Sequence, residues 1–130
     1  MIKKLIIIID KYINIIIRMK TINFEYNSLT YIIHIGSNKY NNFELIDDSN
    51  DSDVWFHVED EPSCHVILKN IEKLRNIPKQ VIKRCAYLCK INSKAKTQKR
   101  CNIIYTQLEN VVKTEIIGQV AIQSYKSVVV

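Results

Sequence analysis

Asp53-Val54-Trp55-Phe56-His57-Val58-Glu59-Asp60-Glu61-Pro62-Ser63-Cys64-His65-Val66-Ile67-Leu68-Lys69 is the stretch on which the fold turns. Val54 to Val58 is β-branched and aromatic, a composition that fits a pleated, half-buried surface. Glu59 to Ser63 is polar and carries a proline, as a turn requires. His65 to Lys69 is mostly apolar again. The stretch predicts a hairpin. Period-two alternation puts Trp55 and His57 on one face and Phe56 and Val58 on the other. Phe56 is then a core residue, and the Trp55/His57 face is expected to be open, with His65 approaching His57 across the hairpin. The competing reading places Trp55 and one histidine inside the core.

The flanks extend this pattern. Thr21 to Tyr26 and Thr30 to Ile35 predict two strands joined at Asn27-Ser28. Gly36 to Lys39 reads as a turn, and Asn41 to Ile46 as a short helix capped by Asn41 or Asn42. Pro78 to Ser93 predicts the main helix, with Pro78 in its first turn. Its apolar side gathers Val81, Cys85, Leu88 and Asn92. Lys79, Lys83, Tyr87, Lys90 and Lys94 fall on the other side. Asn92 to Arg100 reads as a basic, flexible loop. Asn102 to Thr106 is a strand, Val111-Val112 and Ile116 to Val120 suggest another broken by Gly118, and Val120 to Ser124 with Val128 to Val130 close the sheet. The expected class is α+β, a mainly antiparallel sheet of hairpins with one long amphipathic helix packed on it.

The chain has 130 residues, enough for one domain with its own core. Residues 19–130 are expected to form that domain. Residues 1–18 are an apolar extension, too short and too polar in the middle to predict a membrane span. Packing on the domain and a membrane-surface anchor are the other readings of this extension. No small-residue cleavage site follows it.

Charge is polarised along the chain. The net charge is +6. Glu44 to Glu61 holds eight acids and no Lys or Arg, whereas Lys69 to Arg100 holds eleven Lys or Arg and a single acid, Glu72. A basic run of this length is either a solvated face or a polyanion-binding one. The cysteines Cys64, Cys85, Cys89 and Cys101 contain no C-x-x-C pair. They predict reduced, mostly core thiols in a cytoplasmic protein, with no metal and no cofactor.

No catalytic set completes itself. The chain has two glycines, too few for a phosphate-cradling loop, and no H-E-x-x-H or nucleophile elbow. The expectation is a non-enzymatic protein. A His-dependent phosphodiesterase using His57 and His65 is the catalytic alternative.

The motifs resemble a known family. Trp55-Phe56-His57-Val58 followed by Pro62-Ser63-Cys64-His65-Val66-Ile67-Leu68 is similar to the W-F-H…(G/S)-S-H-V-x-L signature of the NFACT-R domain, the RNA-binding domain of NFACT proteins. Ile35 to Ile46 resembles the family's G-x-x-K-Y-x-N-x-x-L-I stretch. Ile77-Pro78-Lys79-Gln80-Val81, Cys85-Ala86-Tyr87-Leu88, Ile91-Asn92-Ser93, Asn102 to Thr106, Val111 to Thr114 and Gly118-Gln119-Val120 follow in the same order as their family counterparts. The likeness runs from about Tyr31 to Val130. Cys64 departs from the small residue common at its position, which bears on the tightness of that turn.

The resemblance implies an RNA-binding module in a translation or ribosome-associated setting, binding transfer or ribosomal RNA, with DNA as the alternative polyanion. Lys79, Lys83, Lys90, Lys94, Lys96, Lys99 and Arg100 are the expected phosphate contacts, joined by the family-matched Lys39 and Lys113. Trp55, His57, Ser63 and His65 are the expected local contact site. Docking on ribosomal or translation-factor proteins through the acidic Glu44 to Glu61 surface is the protein-partner alternative, and a membrane enters only through residues 1–18. Whether the Trp55/His57/His65 face and the lysine face of the helix share one side decides whether they make one site.

Overall fold

The computed structural model describes residues 20–130; the apolar segment 1–18 lies outside the described residues. Strands β1 (Lys20–Tyr26) and β2 (Leu29–Ile35) form the first hairpin. Both turn residues have positive φ, Asn27 at 50° and Ser28 at 64°. That left-handed pair matches the twist of the flanking strands, and asparagine tolerates it better than most residues.

Helix α1 (Lys39–Asp47) follows. It begins two residues earlier than the sequence predicts, and its cap is Asn38. The Asn38 side chain accepts from the Tyr40 and Asn41 amides, each at 3.0 Å, while Asn41 Oδ1 accepts in return from the Asn38 amide at 3.0 Å. The two asparagines thus satisfy each other's orphan donors, as a capping box does.

The central hairpin forms as predicted, from β3 (Val54–Val58) and β4 (Val66–Leu68). Next come α2 (Lys79–Ile91), with Pro78 at its cap, and β5 (Asn102–Gln107). The remaining strands are β6 (Val111–Lys113), β7 (Val120–Ile122) and β8 (Lys126–Val129). The main sheet has the order β1-β2-β4-β3-β5-β8, antiparallel throughout. β6 and β7 do not join it. They pair with each other as a separate ribbon, so β7 does not close the sheet. Residues 92–100 are not a plain loop either, since Lys94–Thr97 forms a 3-10 turn capped by Ser93.

Alternation along β3 sorts two cores onto the two faces. Val54, Phe56 and Val58 join Ile33, Val66, Leu68 and Ile103 under the apolar side of α2, where Val81, Cys85 and Leu88 pack. Phe56 is fully buried, a burial that contributes about 1.5–3 kcal/mol. Trp55 and Ile67 point the other way, into a smaller cluster with Leu45 of α1, Ile104, Leu108 and Val111 of the ribbon. The sheet is therefore covered on both faces, by α2 on one and by α1 with the ribbon on the other.

Candidate nucleic-acid interface

The face that carries Trp55 is covered rather than open. Trp55 is 1% exposed, so its ring is not available to stack on a base. Its indole Nε1–H donates to Nδ1 of His65 at 3.1 Å. His65 is also 1% exposed, and its other ring nitrogen meets the backbone carbonyl of Gly118. With Nδ1 accepting and the opposite nitrogen facing a carbonyl, the ring is a fixed neutral tautomer. Burial, with His57 beside it, pushes its pKa down to about 3. His65 is a post that pins the ribbon loop to the sheet, not an exchangeable proton carrier.

The backbone of His65 is held as firmly. Its amide donates to Asn42 Oδ1 at 3.2 Å, and its carbonyl accepts from the Gly36 amide at 2.9 Å. Both glycines of the chain serve this junction. A Cβ on Gly36 would lie 2.1 Å from Asn42 Oδ1, and one on Gly118 would lie 2.6 Å from the Lys39 Cβ. Gly118 also sits at φ +88°, which favours glycine. Sequence reasoning missed Asn42 and Gly118 as site residues. The signal was present, since both lie in family-matched stretches.

His57 differs from His65. It is half-buried and stacks on Trp55, with ring centroids 5.3 Å apart and planes 15° from parallel. Its Nδ1 lies 2.6 Å from the Val58 carbonyl, which can only accept, so the proton sits on Nδ1. Nε2 then carries a lone pair. Burial lowers the His57 pKa from its ordinary value, so the ring is neutral at pH 7 and offers an acceptor rather than a charge. The Ser63 hydroxyl is committed to the turn. It accepts from the Val58 amide at 3.0 Å and donates to the Cys64 carbonyl at 2.9 Å.

Trp55, His57 and His65 line a cleft of about 860 Å³, within the size range of small-ligand sites. Its rim comes from separate segments. The α1 cap brings Asn38 and Lys39, the turn after β3 brings Asp60, Glu61 and Ser63, and the β6–β7 loop brings Ile117 to Val120. The end of α2 and its 3-10 turn bring Asn92, Ser93, Lys94 and Lys96.

The expected site residues therefore divide. Lys39, His57, Ser63, Lys94 and Lys96 meet around one cleft, with Trp55 and His65 in its floor. Lys99 and Arg100 are exposed just beyond the 3-10 turn. Lys79 and Lys83 are exposed at the start of α2, on the opposite face of the sheet from Trp55. A helix of 13 residues is about 20 Å long, which sets them well away from the cleft. Lys90 is not on the exposed face at all. It is 9% exposed, and its ammonium donates to the carbonyls of Lys99 at 3.4 Å and Val130 at 3.2 Å. Lys113 pairs with Asp47 and lies over the Phe43 ring.

Comparison with known proteins agrees with this architecture. The family model described as "NFACT protein RNA binding domain" matches residues 20–124. Coiled-coil domain-containing protein 25 of Mus musculus is 39% identical over 107 residues, covering 78% of this chain and 51% of that protein. Protein JLP2 of Saccharomyces cerevisiae is 34% identical over 107 residues, covering 76% of this chain and 51% of that protein. The chain thus spans about half the length of these relatives. In fold it is similar to the C-terminal part of the fibronectin/fibrinogen-binding protein from Streptococcus suis, with a TM-score of 0.73 at 22% identity, over 83% of this chain and 44% of that one. The chain belongs to the NFACT protein RNA binding domain family.

Proposed function

We propose that this domain is a non-catalytic RNA-binding module that holds transfer or ribosomal RNA at the cleft mouth, in a cytoplasmic, ribosome-associated setting. The observation that carries the reading is the convergence of Lys39, Lys94 and Lys96, from distant parts of the chain, on a cleft whose inner wall is the neutral His57. Ammonium groups spaced around a rim neutralise successive phosphates and release counterions. Lys99 and Arg100 continue that line. The Nε2 lone pair of His57 accepts from a ribose 2′-hydroxyl or a base N–H, contacts that a phosphate-only surface lacks. Lys79 and Lys83 form a flank further along α2. Lys113, already neutralised by Asp47, contributes least.

The binding reading is favoured over phosphodiesterase chemistry by the state of the two histidines. Their ring centroids are 5.2 Å apart, but His65 is 1% exposed, its Nδ1 is held by the Trp55 indole and its pKa is pushed down to about 3. General acid–base cleavage needs a second exchangeable group. The protein-docking reading loses two of its eight acids to ion pairs and one to a hydrogen bond. Asp53 is buried in a salt bridge with Lys69, Asp47 pairs with Lys113, and Gln98 bonds Glu61.

Titrating fluorescent transfer RNA and a ribosomal RNA fragment across a salt series tests the reading. Affinity is expected to fall steeply with salt, and Lys94→Gln to reduce the slope of log K against log salt by about one. A DNA of the same sequence should bind more weakly, since it lacks the 2′-hydroxyl. Affinity that does not change with salt would overturn the proposal.

A further inference from the structure

One wall of the cleft contains chemistry that RNA binding does not use. Cys64 lies in the wall, between the turn after β3 and β4, and is 8% exposed. Cys89 is in the last turns of α2 and fully buried. The two residues make reciprocal contacts. Cys64 Sγ donates to the Cys89 carbonyl at 3.6 Å, and Cys89 Sγ donates to the Cys64 carbonyl at 3.7 Å. The Ser63 hydroxyl lies 4.0 Å from Cys89 Sγ. Each sulfur is thus seated against the other residue's backbone, which makes the two thiols immediate neighbours. All four cysteines are present as free thiols.

We propose that Cys64 and Cys89 are a reversible thiol–disulfide site, in which a hydroperoxide oxidises Cys64 and Cys89 resolves it. Cys64 is the member of the pair that a small oxidant entering the cleft meets first. It is also the more acidic one. The neighbouring Cys89 thiol, which can turn its proton to an ionised Cys64, favours the Cys64 thiolate, and the Lys20 ammonium adds to this, against the opposing effect of burial. The Cys64 side chain beside it, with burial, holds the Cys89 thiol well above its ordinary pKa. A nucleophile and a protonated resolving partner are what the chemistry requires. Cys85 is the internal contrast. It is fully buried, and desolvation pushes its pKa upward.

The steps balance. The Cys64 thiolate attacks one peroxide oxygen, the S–O bond forms and the O–O bond breaks, and the departing oxygen takes a proton as water or an alcohol. Cys64 is then a sulfenic acid. The Cys89 sulfur attacks the Cys64 sulfur, the S–S bond forms, the S–O bond breaks, and hydroxide leaves with the Cys89 proton as water. Two thiols have been oxidised and one hydroperoxide reduced; a small thiol reverses the bond by exchange. The new bond joins the turn before β4 to the end of α2, two of the elements that frame the cleft. The site stands whatever occupies the cleft.

The full chain is treated with hydrogen peroxide in native buffer, free thiols are alkylated, and the digest is read by mass spectrometry. The expected product is a Cys64–Cys89 cross-linked peptide, lighter by two hydrogens and lost on treatment with dithiothreitol. Cys89→Ser is expected to stop at a Cys64 sulfenic acid that dimedone traps, and Cys64→Ser to give neither product. Near-ultraviolet circular dichroism, which reports on Trp55, checks that each variant is folded. A cross-link to Cys101 in place of Cys64, over-oxidation of Cys64 with Cys89 still alkylated, or wild-type thiols that all remain reduced would each overturn the proposal.

Discussion

His65 shows how far a residue's role departs from its type. A histidine in a family signature reads as a contact or a catalyst, yet this one is a neutral, buried post held by the Trp55 indole. A pH dependence follows. Its folded pKa of about 3 lies below the unfolded 6.5, so the unfolded state binds the proton more readily. The stabilisation is complete above pH 6.5 and is lost as pH falls from 6.5 toward 3. Unfolding free energy should drop by about 1.4 kcal/mol per pH unit through that window from this residue alone. Urea unfolding from pH 7 to pH 4 measures it, and a flat profile would contradict the assignment. Gly118 is the partner of this post. Gly118→Ala must place a side chain at φ +88° and within 2.6 Å of Lys39. It should cost at least about 1 kcal/mol in thermal unfolding. The family-matched stretches mark both residues as important, but a sequence shows a ring or a glycine and not what faces it across the fold.

Among the elements, those with strong internal periodicity were readable. The β3–β4 hairpin, the β1–β2 turn and the two faces of α2 follow from alternation and helical spacing in Val54–Val58, Asn27-Ser28 and Pro78–Ser93. β6 and β7 read as sheet strands because a short apolar run does not say which strand it pairs with, whereas they form their own ribbon. The cap of α1 was misplaced because Asn38, Asn41 and Asn42 are equally good capping residues and only tertiary contacts choose among them. Lys90 was misread because the helical arc records direction, not what packs beyond the helix. Asp53 immediately precedes β3. It is 1% exposed and accepts from Lys69 Nζ at 2.6 Å and from the Asn50 and Asn70 amides, each at 2.8 Å. It thereby ties the start of β3 to the loops before it and after β4. Asp53→Ala strands those donors and should cost about 2–3 kcal/mol, reduced from a fully buried pair because Lys69 reaches solvent. A shift in urea midpoint at unchanged m-value measures it.

At the scale of the whole molecule, the charge asymmetry of the sequence is rearranged. Two acids of the acidic run are paired, Asp53 with Lys69 and Asp47 with Lys113, while Asp48, Asp51, Asp60 and Glu61 stay exposed. The basic run is split between the two ends of α2, and Lys39 joins it at the cleft from far upstream. The helix and the Trp55 face are on opposite sides of the sheet, yet the residues that follow α2, Asn92 to Lys94 and Lys96, line the same cleft. The double variant Lys94→Gln, Lys96→Gln should therefore weaken RNA binding more at low salt than Lys79→Gln, Lys83→Gln, although both remove the same charge. Binding isotherms at matched ionic strength decide between them. The central claim is tested most directly by mapping amide chemical shifts of the labelled chain as transfer RNA is added. The largest changes should fall at Lys39, His57 and Ser93 to Lys96. Changes confined to Lys79 to Lys83 and the outer face of α2, with the cleft silent, would contradict it.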